Sequence, residues 1–527
     1  MAPEERVREV SATPLSSGVA VCIIVFIIRV PDIGHVAQPY RDAKEPATAL
    51  CCRLRLPPTA SAARSGFLSG FSTLTSAPST CPEAFMSAPM STPANGNLSR
   101  RSVLRGTAGA AGLFTAGGLL TACSGIKESS AQTDTVLRIG YVSPSTGPAA
   151  GFGEPNAYLM KKMRATFKDG LQIGGKKYSI EIIDRDSQSN PQTAAQVASD
   201  LINSEKIDLM LVTSTPETVN PVADACEAAK VPCLSTAVPW EAWYFGRGAT
   251  PEKPFTYTYH FFIGVAEIHA AYTSLWTKGG VETNRRVGVM WPNDPDGKAI
   301  RQGLGPQLKK SGFRIVDPGA YEDGTNDYSA QIAAFKKADA EIFNTFPLPP
   351  DFATFWKQAR QQGYRPRIAS IAKTGLLPSQ IEALGSLGHG LSAGFWWSPK
   401  FPYTSTLTDQ TAQQLADDYE QSTGKQWTQI IGSNMALFEV AVHALKATSD
   451  PKDRGELAAA LGKAKLTTIA GPLDFTSGPV KNVSPEGLVM AQWRKATGGS
   501  KFTVEPVIVD NGAFLDIPLG GELEPLR

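Results

Sequence analysis

Three stretches of the chain bring together side chains suited to holding a small molecule. Ser214-Thr215-Pro216-Glu217-Thr218 follows the apolar run Asp208–Thr213. Its hydroxyls and main-chain N–H groups therefore stand where a strand hands over to a helix, the place where open parallel sheets take ligands. Thr236–Trp243 follows the run Pro232–Ser235, and the segment Trp240-Glu241-Ala242-Trp243-Tyr244-Phe245 carries four large rings in six positions. Trp396-Trp397 adds two more. Such rings combine contact area with a polar handle, which suits a cleft, and each is equally the kind that packs a core. Thr215 and Thr218 carry a similar double reading, as helix caps or as ligand contacts.

Bond-breaking chemistry has no such support. The sequence contains no His-Glu-x-x-His, Cys-x-x-Cys or G-x-x-x-x-G-K-[ST], the patterns of zinc sites and a phosphate loop. Gly151-x-Gly153-x-x-Asn156, with Asp184 or Asp186 later, imitates a dinucleotide fingerprint, but the third position is Asn and the first glycine lies far past the strand end. The expectation is no enzyme, no catalytic residue, no metal and no cofactor, with an exported hydrolase as the enzymatic alternative. A formal net charge of +2, from 51 basic and 49 acidic residues, gives no field that would draw the chain to nucleic acid.

The N-terminal region reads as an address. Residues 1–85 are rich in Ala, Ser, Thr, Pro and Arg, lack periodicity and hold four of the seven cysteines. Their one apolar run, Val19–Ile28, has ten residues, against about 20 for a membrane span. Ser99-Arg100-Arg101-Ser102-Val103-Leu104 precedes a weakly apolar Gly/Ala-rich segment that ends Leu120-Thr121-Ala122-Cys123. A basic region, an apolar segment and small residues before a cleavage point make a secretory signal. The arginine pair resembles the twin-arginine export signal, and Leu-Thr-Ala-Cys resembles the lipobox of bacterial lipoproteins, which implies cleavage before Cys123 and lipidation of its thiol. The expected organisation is a disordered stretch 1–85 ahead of a true start at Met86 or Met90, a signal peptide 86–122, and a linker 123–133. Beyond residue 122 the chain holds 40 basic and 42 acidic residues. Cys226 and Cys233 remain there as a disulfide or as two separately buried thiols, and the sequence leaves both readings open.

From Val136 onward, short apolar strands alternate with amphipathic helices. Strands are expected at Val136–Val142, Lys177–Asp184, Asp208–Thr213 and Pro232–Ser235, with helices at Glu154–Lys168, from Pro191 to about Ser204, and over Glu217–Ala229. The alternation restarts at Arg286–Trp291 and runs through helices near Lys298–Ser311, Tyr328–Lys337 and Asp351–Gly363. Repeated strand, helix, strand implies a parallel sheet covered on both faces. Two such runs predict an α/β fold of two doubly wound lobes.

Ile139-Gly140-Tyr141-Val142-Ser143-Pro144-Ser145-Thr146-Gly147-Pro148 resembles the first strand and loop of type I periplasmic binding proteins of the leucine/isoleucine/valine-binding kind. Asp184-Arg185-Asp186-Ser187-Gln188-Ser189-Asn190-Pro191, Lys230-Val231-Pro232 and Asp323-Gly324-Thr325-Asn326-Asp327-Tyr328-Ser329 match the same family in order, and the resemblance covers 134–527. It implies two lobes joined by three crossing segments, the first at 134–262 plus 400–455 and the second at 263–399 plus 456–527. It further implies a lipid-anchored protein of the cell envelope, a monomer, that captures a small-molecule solute by lobe closure and presents it to an ABC permease; a ligand-sensing receptor of the same fold is the alternative. By position in the family pattern, Phe152 covers the ligand. Thr215, Pro216, Glu217 and Thr218 lie in the loop that takes its carboxylate, and Ala237 and Val238 in the loop that gives backbone contacts. Trp240 and Trp396 are the aromatic candidates. Lys373, in Ile371-Ala372-Lys373-Thr374-Gly375, stands where amino-acid-binding members carry a carboxylate for the ligand ammonium. The expectation is therefore a small polar, aromatic or carboxylated solute, with Lys373 as its counter-ion.

Overall fold

The computed structural model describes residues 135–526. The stretch 1–85, the signal peptide, Cys123 and the linker lie outside the described residues.

Short apolar runs become strands because each is buried on both faces. Leu209–Thr213 is buried at every position, the mark of a parallel strand between two helical layers. The first lobe contains β1 (Val136–Ser143), β2 (Leu171–Ile173), β3 (Lys176–Asp186), β4 (Leu209–Thr213), β5 (Cys233–Thr236) and β6 (Thr258–Phe261). Its helices are α1 (Asn156–Thr166), α2 (Pro191–Asn203), α3 (Pro216–Ala229) and α4 (Trp240–Tyr244). Local chemistry sets the starts: Asn190 caps α2 by accepting from Thr193 N at 2.9 Å, and prolines occupy the first turn of both α2 and α3.

The second lobe repeats the plan with α5 (Val265–Lys278), β7 (Arg286–Met290), α6 (Pro295–Lys310), β8 (Arg314–Val316), α7 (Ser329–Lys337), β9 (Ile342–Thr345), α8 (Pro349–Gln361), β10 (Ile368–Ile371), α9 (Pro378–Leu384) and β11 (Ser392–Phe395). The chain then returns through α10 (Ala412–Thr423), α11 (Ile430–Lys446), α12 (Arg454–Leu461), the hairpin β12 (Lys465–Thr468) and β13 (Gly471–Asp474), and β14 (Val483–Ser484). It ends on β15 (Val489–Lys495) and β16 (Val504–Asp510).

Two seven-stranded sheets result, ordered β14-β6-β5-β4-β1-β3-β2 and β16-β15-β11-β10-β9-β7-β8. The pairs β1 with β3 and β4, β4 with β5, and β7 with β8 and β9 are parallel; β15 and β16 close the second sheet antiparallel. This is the two-lobed, doubly wound α/β architecture expected. One boundary moves. The division anticipated at 455/456 falls inside the first lobe, because β14 pairs parallel with β6, Val483 opposite His260, and Arg454 donates to the carbonyls of Ile207 and Ala229. The three crossings are thus 262–264, 396–411 and 485–488.

Among the described residues no helix is long and apolar enough to cross a membrane. Cys226 and Cys233 are free thiols, both buried, so the separately buried reading is the one the structure holds. Cys226 faces the apolar layer behind the first sheet, and burial pushes its thiol well above the ordinary value.

Candidate functional site

The carboxyl ends of the two parallel sheets face each other, and the loops leaving them build the site. On the first lobe the loop after β1 is held by Asp186, whose carboxylate accepts from Ser145 N at 2.7 Å, Thr146 Oγ1 at 2.7 Å and Gln188 N at 2.8 Å. Burial opposes the charge of that carboxylate, but these donors keep it below the ordinary value. The acidic strand end singled out in the sequence is therefore a brace, and what it positions is the turn carrying Phe152. In the same turn Gly151 approaches the second lobe so closely that a Cβ there would collide with Leu377. The lobes are closed on each other, and Ser379 Oγ also donates across to Glu154 at 3.4 Å.

Between the lobes lies a cavity of about 50 Å³. Phe152, Thr215 and Ala237 line it from the first lobe, Phe262 from the first crossing, and Tyr272, Phe346, Asp296 and Lys373 from the second lobe; Trp396 enters from the second crossing. Ala237 and Lys373 both hold left-handed backbone conformations, with φ of 69° and 58°, which non-glycine residues adopt at a cost that tends to concentrate at functional sites. Thr215 occupies the cap position of α3 without a side-chain capping bond, so capping does not explain it. The hydroxyls of Ser214, Thr218 and Thr236 are buried with no hydrogen-bond partner in the protein, at the carboxyl ends of β4 and β5, where Thr213 and Thr236 are in register. Unpaired buried hydroxyls are uncommon and call for an acceptor.

The structure changes the reading of Lys373. The residue is 7% exposed, and its ammonium is bonded to Asp294 and to Asp296, the latter at 2.7 Å, with Glu217 Oε1 at 3.9 Å across the cleft. Three carboxylates therefore surround a group with three protons to give. Burial works against its charge, but Asp296, Glu217 and Asp294 together hold it well above the ordinary lysine value. Lys373 is a paired residue of the wall and not a free counter-ion. Asp294 additionally caps α6 through Gly297 N at 2.6 Å. One Asp296 oxygen has no partner, and burial, opposed by Lys373 and reinforced by Asp294 and Glu217, raises its carboxyl to about 7.

Two further expectations are corrected. Trp240 does not line the cavity: it is half-buried beside Gly264 at the first crossing, its ring 5.7 Å from Phe245. Val238 is fully buried behind the first sheet, its carbonyl accepting from His260 Nε2 at 2.7 Å, because the chain turns into α4 there and directs alternate residues away from the cleft. Pro216 forms the first turn of α3 and is buried. Trp396 lines the cavity, 3% exposed, 4.7 Å from Phe262 in a T-shaped contact, with its indole N–H unpartnered. Sequence reasoning missed Asp294 and Asp296, although Asn293-Asp294-Pro295-Asp296-Gly297 follows the first strand of the second lobe and satisfies the rule applied to the first-lobe loops. Phe262, Tyr272 and Phe346 had no distinguishing signal.

The sequence model of the family described as "Periplasmic binding protein" matches residues 136–499. Among solved structures, a leucine-binding protein LivK from Thermotoga maritima MSB8 aligns at 18% identity and a TM-score of 0.58, covering 71% of this chain and 99% of its own. The branched-chain amino acid transporter substrate-binding protein LivJ from Streptococcus pneumoniae, solved with isoleucine, aligns at 16% identity and 0.56, over 71% and 99%. A solute-binding protein of an ABC transporter from R. palustris, solved with 4-hydroxybenzoate, aligns at 16% identity and 0.57, over 72% and 98%. At such identities the likeness speaks for the fold.

Proposed function

The chain belongs to the periplasmic binding protein family, and we propose that it is the exported, lipid-anchored solute-binding component of an ABC importer, capturing a small polar, aromatic or carboxylated solute by closing two lobes over it. The observation that carries the reading is the cavity between the lobes at the carboxyl ends of both sheets. Its walls combine five aromatic rings, Phe152, Phe262, Tyr272, Phe346 and Trp396, with polar groups from each lobe. Rings of this kind bury a compact apolar body, while a few convergent polar groups fix its orientation. Carboxylate recognition falls to Thr215, the hydroxyl-bearing residue of the cavity wall, since Lys373 is already paired.

Closure is the transport signal in this reading. A solute that touches Thr215 on the first lobe and Tyr272 on the second stabilises the closed arrangement through contacts absent from the open one. The lipid on Cys123 keeps the monomer at the membrane, where a permease receives the closed form. Calorimetric titration with leucine, isoleucine, benzoate and 4-hydroxybenzoate tests the proposal. Saturable one-to-one binding by a member of this panel supports it, and no binding by any of them counts against it.

A further inference from the structure

The closed cleft holds an unbalanced set of charges. The Lys373 ammonium bonds to Asp294 and Asp296 on its own lobe and faces Glu217 of α3 at 3.9 Å, too long for a hydrogen bond. Asp294 spends its second oxygen on Gly297 N, but one oxygen of Asp296 and both of Glu217 have no hydrogen-bond partner. Three carboxylates thus share one cation, and Asp296 is only 2% exposed.

The neighbouring elements do not restore the balance. On α4, which packs with α3 against α6, Glu241 is turned to Val265 N at 2.9 Å. On α5, Tyr272 brings an uncharged phenol to the cavity, and His269 meets the far end of α6 at Ser311. Further along α6, Arg301 pairs with Asp317 and Lys298 is exposed. The loop after β8 adds another acid, Asp323, raised to about 6 by burial first and then by Asp294, while Asp351 is taken by Gly324 N.

When the lobes part, Glu217 leaves with α3, and Lys373 stays with Asp294 and Asp296 as a group of one net negative charge beside water. Closure buries that group and brings a second negative charge against it. A buried charge without a partner is costly, and a carboxylate so placed takes a proton instead. Asp296 is the acid placed to receive it: one oxygen is free, and burial, with Asp294 and Glu217 acting against Lys373, raises its carboxyl to about 7.

We propose that lobe closure takes up one proton onto Asp296, so that the protein closes more readily in mildly acidic than in mildly alkaline surroundings. The closed form then binds one proton more than the open form, and above neutrality each pH unit lowers the closed-to-open ratio by up to about tenfold. That this tunes capture rests on the solute-binding reading given above; the proton uptake itself needs only that the lobes move.

X-ray scattering of the whole protein without added solute tests it. The radius of gyration is expected to be smaller at about pH 5.5 than at about pH 8.5, with circular dichroism showing the same fold at both. Asp296→Asn, which imitates the protonated acid, is expected to keep the smaller radius at both. Glu217→Gln removes the charge that closure brings in and is expected to shrink the radius at the alkaline end. A radius in the unaltered protein that does not move with pH overturns the proposal. So does a pH response that persists in Asp296→Asn, or a variant fixed at the larger radius. If Asp296→Asn does not fold, Glu217→Gln decides alone, and a response identical to that of the unaltered protein overturns the proposal. No solute enters the measurement, so its failure leaves the calorimetric panel standing, and failure of the panel leaves the scattering result valid.

Discussion

The Lys373 ammonium lies 2.7 Å from Asp296 on its own lobe and 3.9 Å from Glu217 on the opposite wall, so one side chain ties the acids of both lobes together. Replacing it with methionine keeps the bulk and leaves Asp294 and Asp296 buried without their partner. Breaking a buried pair from one side is strongly destabilising, and since Asp296 can take up a proton the cost falls at the lower end, about 3 kcal/mol. Denaturant unfolding of Lys373→Met measures it. A loss below about 0.5 kcal/mol, the size of an ordinary surface substitution, would mean that the pairing is absent in solution.

The raised carboxyl of Asp296 gives a pH signature. Its ordinary value is 3.8, and burial first, then Asp294 and Glu217 against the opposing Lys373, raises it to about 7. Between these values the folded chain holds a proton that the unfolded chain has released, so this group's contribution to stability declines as pH rises through the window. Asp296→Asn removes the titration. The unfolding free energy of the variant is expected to fall less than that of the unaltered protein between about pH 4 and about pH 7. Parallel curves for the two proteins would show that Asp296 is not held in this way.

The sequence exposed the scaffold more fully than the site, and the difference is physical. β4 and α2 follow from a run of consecutive apolar residues and from an Asn-Pro start, signals that act within a few residues. Phe152, Thr215 and Trp396 line the cavity, and loops past strand ends, or family position, point to them in the sequence. Lys373 lines the cavity, but its partners are acids of the protein and not a solute. Its acids lie 79 and 77 positions earlier in the chain on α6, and only the folded sheet brings β7 and β10 ends together. Trp240 failed for a related reason: a ring-rich segment looks the same whether it faces a cleft or a hinge, and the short helix α4 decides which. The lobe boundary was misplaced because β14 has only two residues, too few for any periodic pattern.

Phe152 and Trp240 make a matched comparison. Phe152 lines the cavity and Trp240 does not, so Phe152→Ala is expected to lower solute affinity by at least about tenfold through lost apolar contact. Trp240→Ala should leave the intrinsic contacts of the solute intact and act only through the first crossing. Calorimetry of both variants with whichever panel solute binds gives the comparison. Equal losses would return Trp240 to the binding wall.

Cys226 and Cys233 are expected to be shielded but reduced. In the native protein both should resist a thiol reagent. After denaturation without reductant, the peptides carrying each cysteine should both be alkylated, as peptide mass spectrometry would record. A disulfide-linked pair of those peptides would contradict the free-thiol arrangement.

Lobe closure over a solute is the central claim, and X-ray scattering of the protein with and without a saturating panel solute tests it most directly. The account predicts a smaller radius of gyration in the saturated protein, with Phe152→Ala needing more solute to reach it. Saturable binding that leaves the radius unchanged would contradict capture by closure.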